Sequence, residues 1–206
     1  MTPKSYSRQQ ISADEALQRL IDGNANFVGG ELRFPSMQRE VLNELARGQH
    51  PYATILGCSD SRVPPELIFG AHLGDLFVVR VAGNSISPEV AGSLQYACVH
   101  LHTPLLVVLG HEKCGAVQAA LQTKLNGTRQ HSRIQILVDG LLPAMSMVDR
   151  RADADTQLAQ AVEDNVRWTV AQILDTPEGR ARLAEGRMKL AGAVYEISTG
   201  RVRFLQ

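Results

Sequence analysis

The sequence predicts an α/β fold: a mostly parallel central sheet flanked by helices, with an N-terminal helical arm and a C-terminal hairpin that extends the sheet. Three runs, YATILGC (52–58), DLFVVRVAG (75–83) and PLLVVLG (104–110), are apolar throughout instead of alternating, which is the pattern of strands buried on both faces. Helical patterns lie between and after these runs, and a strand, helix, strand rhythm argues for parallel pairing through crossover helices. The closing stretch KLAGAVYEISTGRVRFLQ reads as a pair of strands around a turn at Thr199-Gly200, a hairpin on the sheet edge.

The elements are expected in this order within a single domain, 1–206. Residues 1–50 hold the N-terminal helices. SADEALQRLIDGNANF (Ser12 to Phe27) opens with Ser12 and Glu15 in capping-box spacing and sets Leu17, Leu20 and Ile21 on one helical face. MQREVLNELARG follows and stops at Gly48, with Pro51 beyond it. Residues 51–133 carry the buried strands and their crossovers. Residues 134–206 form a helical subdomain or arm, IQILVDGLLPAMSMVDR and TQLAQAVEDNVRWTVAQIL, then a further helical piece after Thr176-Pro177, then the terminal strands. The chain has no internal repeat, no G-x-G-x-x-G and no G-x-x-x-x-G-K-[ST], so the sheet lacks the usual signatures of a nucleotide site.

Bulk composition excludes several classes. The 206 residues are 44% hydrophobic and 20% charged, enough to bury a full core. The 21 basic and 21 acidic residues cancel, so there is no overall field to draw the protein onto nucleic acid or an anionic membrane. No apolar run approaches the ~18 residues of a membrane span, and the opening MTPKSYSRQQ has no signal-peptide core. Three cysteines do not make a disulfide framework. They fit a reducing compartment or metal ligation, and the cytoplasm is the expected location.

Chemistry concentrates at the ends of two buried runs. ILGCSDSRVPPE places Cys58, Asp60 and Arg62 at alternate positions, which share one face of an extended segment. GHEKCGAV ends the third run and sets His111 and Cys114 three apart in a strand-to-helix turn. Sites in open α/β sheets form beyond the carboxyl ends of strands, so Cys58, His111 and Cys114 are expected to be neighbours. Two thiolates and an imidazole suit Zn²⁺, and three protein ligands leave the fourth tetrahedral position open, as catalytic zinc sites do. A lone strand cysteine is more often a small packing residue, and a Cys/His redox or nucleophile pair is a further reading. The joint placement at two strand ends, each flanked by glycine, favours metal.

CSDSR at 58–62, RVAGN at 80–84 and GHEKCG at 110–115, in this order and separation, closely resemble the β-class carbonic anhydrases, and the similarity runs from about Ala13 to the end. The resemblance implies a zinc lyase interconverting CO2 and bicarbonate, assembled as a homodimer or a dimer of dimers. By matched position it implies Cys58, His111 and Cys114 as Zn²⁺ ligands and Asp60 with Arg62 as the catalytic dyad. Substrate-pocket positions fall on Gln49, Phe77 and Tyr96, all in the form of the plant-like branch. On this reading Asp60, held ionised by Arg62, accepts a hydrogen bond from the metal-activated water and aims its lone pair at the substrate. Two anionic sulfurs make that water less acidic than an all-histidine site would, and an alkaline activity optimum is expected.

One position departs from a bacterial branch of that family. There a tryptophan three residues before the first cysteine helps to bind inhibitory bicarbonate; here the position is Ile55 and the one tryptophan is Trp168. Arg80 matches another member of that inhibitory site but is read more simply as part of a buried structural pair, and near pH 8 Asp60 is expected to pair with Arg62 rather than to ligate the metal, with lower pH favouring the shut arrangement. Cys98 is expected in core packing, His100 and His102 near a helix end, and His50, His72 and His131 in solvated loops. Two other function classes remain beside CO2 hydration: a zinc hydrolase of the same fold acting on CS2 or COS, and a non-catalytic zinc- or bicarbonate-binding protein, which Asp60, Arg62 and Gln49 argue against.

Overall fold

In the computed structural model of the chain, residues 11–32, 39–186 and 188–206 are described. The first helix, α1 (Ala13–Val28), starts where the capping box predicts it. The Glu15 backbone N–H donates to Ser12 Oγ at 3.2 Å, and the Ser12 N–H donates to the Glu15 carboxylate at 2.8 Å, so each supplies an orphan group of the helix start with a partner. The stripe it buries is Ala16, Leu20 and Asn24, while Ile21, expected on that face, is 40% exposed. Asn24 explains the rotation. Its amide donates to Ile68 O (3.1 Å) and Gly200 O (2.9 Å) and accepts from the Val202 N–H (2.8 Å), so a polar tether sets which face turns inward.

Helix α2 (Arg39–Leu45) buries no residue; Met37 and Gln38, the first residues of its predicted span, lie outside the described ones. The strands are β1 (Ala53–Gly57), β2 (Leu76–Arg80), β3 (Leu105–His111), β4 (Lys189–Tyr195) and β5 (Val202–Phe204), and among the described residues they form one sheet in the order β2-β1-β3-β4-β5. β1 pairs parallel with both β2 and β3, β3 pairs parallel with β4, and β5 closes antiparallel on β4 as the predicted hairpin. β1 and β3 are buried along their whole length. β2 differs from expectation: Leu76 to Val79 are only half-buried and Arg80 is exposed. It is the outer strand, and among the described residues no strand pairs with it on its far side.

Between the strands lie the short α3 (Pro65–Ile68) and α4 (Pro88–Val99), which begins on a Ser87 cap and packs against β1 and β2. After β3 come α5 (Gly115–Asn126), α6 (Ser132–Leu141), a 3-10 segment (Leu142–Met147), α7 (Ala154–Leu174) and α8 (Pro177–Ala184). The helical part does not stand apart as an arm, because α7 lies across β3 and β4. The fully buried Val166 of α7 seats over two strand glycines. A Cβ at Gly110 would meet its Cγ2 at 2.5 Å and one at Gly192 its Cγ1 at 2.9 Å, so two absent side chains let helix and sheet come this close.

Candidate metal centre

The chain leaves β1 outward to β2 and returns to β3 on the other side of β1, and the strand order therefore reverses between β1 and β3. That reversal opens a crevice at their carboxyl ends. Gly57 and Leu109 are paired in register, so Cys58, directly after β1, and His111, the last residue of β3, emerge side by side. Cys114 is the N-cap residue of α5. All three are buried, and their ligand atoms lie within 4.8 Å of one another. The sequence expectation that two separate strand ends converge on one point is thus met.

The donor set fits a metal ion. His111 Nδ1 is 2.8 Å from the Glu112 carbonyl oxygen; a carbonyl only accepts, so Nδ1 carries the proton and Nε2 presents a bare lone pair. That Nε2 is buried and has no hydrogen-bond partner among the described residues, an arrangement that costs free energy unless something fills it. A tetrahedral ion about 2.3 Å from sulfur and about 2.1 Å from nitrogen would space its ligand atoms by roughly 3.5 to 3.8 Å, within the separation found here. The two thiols are electrostatically unequal. Contact with Cys114 pulls the Cys58 thiol well below the ordinary thiol range, aided by His111 and by the backbone N–H groups of Asp60 and Gly83. The same contact, with burial added, pushes Cys114 up.

Asp60 stands at the mouth of this set. Its carboxylate accepts from Arg62 Nε (2.9 Å), Arg62 Nη2 (2.7 Å) and the Arg62 backbone N–H (3.0 Å), a two-pronged charged pair. Its Oδ2 lies 3.9 Å from His111 Nε2. The Arg62 guanidinium holds the Asp60 carboxyl far below the usual carboxylate range, so it is ionised at every pH at which the fold is expected to work.

Several contributors were not legible as chemistry. The 3-10 turn Ala82–Asn84, within RVAGN, aims the Gly83 N–H at Cys58 Sγ from 3.3 Å. Arg80 is not in a buried charge pair, as its sequence context suggested; it is exposed, and it donates to the carbonyls of Cys58 (2.9 Å) and Asp60 (2.6 Å). It is the last residue of the strand at the edge of the described sheet, and its acceptors are the main chain of the adjoining turn. Glu112 fixes the His111 turn: its N–H donates to Tyr195 O at 2.9 Å, and its carboxylate accepts from Ser198 N–H (3.2 Å) and Oγ (3.1 Å). The local sequence around Cys58 and His111 contains no hint of these distant partners.

The three substrate-pocket positions are not gathered at this point by a single chain. Phe77 is opposite Thr54 in the β1–β2 register, four residues short of Cys58 along β1 and hence roughly 13 Å away at about 3.3 Å per residue. Tyr96 packs on Phe77 with ring centroids 6.2 Å apart and is 48% exposed. Gln49 is exposed and precedes the amino end of β1. These residues thus lie on the open edge and amino side of the sheet, whereas the metal set lies past its carboxyl ends. Cys98 is in packing, its Sγ against Met188 Sδ at 3.2 Å. His100 closes α4 with its ring 5.0 Å from that of Tyr96. His72, placed by the sequence in a solvated loop, is half-exposed with Nδ1 3.3 Å from Asp75.

Comparison with known proteins points the same way. The family described as carbonic anhydrase matches residues 53–202. Carbonic anhydrase 2 of Mycobacterium tuberculosis is 38% identical over 187 residues, covering 90% of this chain and 89% of that one, and the carbonic anhydrase of Mycolicibacterium smegmatis is 38% identical over 188 residues, covering 91% and 90%. Among solved structures, the β-carbonic anhydrase CcaA superposes with a TM-score of 0.73 at 29% identity, covering 92% of this chain and 95% of its own. One of two tetrameric β-carbonic anhydrases of Sordaria macrospora gives 0.75 at 25% identity, covering 93% and 97%. With a family match across most of the chain, near-complete relatives at this identity and the parallel sheet they share, this chain belongs to the β-carbonic anhydrase family.

Proposed function

We propose that this chain catalyses the zinc-dependent reversible hydration of CO2 to bicarbonate and a proton, with Cys58, His111 and Cys114 as metal ligands and Asp60 and Arg62 as the catalytic pair. The observation that carries the reading is the buried Cys–His–Cys set with its unpartnered His111 Nε2 and an ionised carboxylate 3.9 Å away. Zinc held there would act as a Lewis acid and lower the pKa of a bound water, which with two anionic sulfurs as ligands would become a nucleophile at mildly alkaline pH. The chain's own residues supply orientation. Asp60 has no proton to give, so a water at the mouth must donate to it, which leaves the water's lone pair free for the carbon of CO2. Arg62 keeps that carboxylate ionised and turned to the mouth, and its fork opposes any swing of Asp60 toward the ligand set.

The pocket assigned to Gln49, Phe77 and Tyr96 requires a second copy of the chain. The open β2 edge and the exposed Tyr96 support such an assembly, as does the tetrameric state stated for the Sordaria macrospora relatives; a homodimer or a dimer of dimers is the expected form. Stopped-flow CO2 hydration on the purified protein, run beside sulfide release from CS2 and COS and beside metal analysis, tests the proposal. Hydration with about one zinc per chain is expected. Sulfide release without hydration, or well under one metal per chain in active protein, would overturn it.

A further inference from the structure

The metal set is held from the sheet and from α5, yet one of its sulfurs receives a hydrogen bond from the turn after β2. Gly83 there has φ +67, a left-handed conformation that glycine adopts without strain. A Cβ on it would meet Leu141 Cδ1 at 3.0 Å and Ala116 Cβ at 3.2 Å. The next residue, Asn84, is also left-handed (φ 44) and is buried. Two successive residues in this region do not hold such a shape unaided.

What holds it is α7, a helix more than 70 residues later in the chain. Asn165, with no exposed surface, donates from Nδ2 to the Gly83 carbonyl at 2.9 Å. One turn on, the buried Thr169 donates from Oγ1 to the Asn84 carbonyl at 3.4 Å. Residues four apart share one helix face, so α7 grips consecutive carbonyls of the turn with one surface. The grip is specific in direction, because with both carbonyls turned toward α7 the Gly83 N–H stays on Cys58.

We infer that Asn165 is a positioning residue for the metal centre: through Gly83 it keeps an N–H donor on the Cys58 sulfur and so limits how much charge that sulfur gives to the metal. The inference rests on the metal reading above. Hydrogen bonds to metal-bound thiolates lower their donor strength and tune the metal's electronic properties. Losing the grip would free the turn and leave Cys58 a stronger, less constrained donor.

The test uses the full-length protein with Co²⁺ in place of zinc, whose sulfur-to-cobalt charge-transfer absorption reports the thiolates directly. Asn165→Leu removes the donor while keeping the branched heavy-atom shape, and Asn165→Ser removes it by being too short to reach. Ile173→Ala, buried on the same helix two turns beyond, is the control for simple loss of stability. Both Asn165 variants are expected to move the charge-transfer band to longer wavelength, as a stronger thiolate donor does, while Ile173→Ala leaves the band at its wild-type position. Coincident bands in wild type and whichever Asn165 variant folds would overturn the inference, as would an equal shift in Ile173→Ala. A wild-type protein with no sulfur-to-cobalt band would remove the metal reading itself, and this inference with it.

Discussion

Gly110 tests how tightly the sheet, the covering helix and the metal centre are coupled. A methyl group added there would approach Val166 Cγ2 to 2.5 Å and Val162 Cγ1 to 3.5 Å, the first about 1 Å inside ordinary contact. Val166 is fully buried and β-branched, with one strongly preferred helical rotamer. β3 cannot yield sideways because β1 and β4 pair with it on its two edges. Overpacking costs about 1 to 3 kcal/mol, and with neither partner free to move the upper half of that range applies. For a chain of this size each kcal/mol is worth about 2 to 4 °C in Tm, so Gly110→Ala should melt about 4 to 12 °C lower in a thermal scan at fixed protein concentration and metal loading. Val166→Ala alone removes buried methyl groups and should cost about 2 kcal/mol. In the double variant the new methyl enters the space just vacated, and the loss should fall short of the sum by at least about 1 kcal/mol. A Gly110→Ala protein melting with wild type, or strict additivity in the double variant, would refute the coupling between Gly110 and Val166. Gly192→Ala, with its nearest approach at 2.9 Å, should be the milder change.

Arg62→Ala removes the fork on Asp60 but no metal ligand, so CO2 hydration should fall about 10- to 100-fold with metal content unchanged; near-normal turnover would take the pair out of the mechanism. Asn24→Ala leaves Ile68 O, Gly200 O and the Val202 N–H without their shared partner. At about 1 to 3 kcal/mol for a buried unpaired group and partial access to water, urea denaturation should show a loss of about 2 to 4 kcal/mol. The metal content of the folded fraction should not change, and a loss under about 1 kcal/mol would mean that water replaces the tether.

The sequence was most informative where chemistry is local. Cys58 and Asp60 follow the strand they need, His111 and Cys114 share one turn, and the Ser12–Glu15 cap spans three residues. Strand existence was equally legible because continuous apolar runs have few alternatives. What stayed hidden depends on distant partners. Nothing near Asn165 marks it as the residue that grips Gly83 across 82 positions, and nothing near Glu112 points to Ser198. Apolar content likewise cannot distinguish a central strand from an edge strand: β2 reads like β1 and β3, yet among the described residues it pairs on one side only. Phe77 and Tyr96 share that limit, since their distance from the metal set follows from register and strand order, which a linear motif does not encode.

Arg80 shows how the two levels combine. Its guanidinium is exposed, and its acceptors are the carbonyls of Cys58 and Asp60, the main chain on either side of Ser59. A planar fork grips two acceptors in one geometry, whereas an ammonium is a single point of donation. Arg80 therefore fixes the path of the chain from the first metal ligand to the carboxylate, while Gly83 separately fixes the sulfur. Substitution should split the two functions. Arg80→Met should lower kcat for CO2 hydration about tenfold, in the range typical of groups supporting a ligand shell, with metal still stoichiometric because the Cys58 thiolate keeps its Gly83 donor. Arg80→Lys should fall between Met and wild type. Equal activity of Arg80→Lys and wild type would mean that charge alone suffices and the fork geometry is idle. Loss of metal in step with activity in Arg80→Met would mean that Arg80 supports Cys58 rather than the carboxylate beyond it.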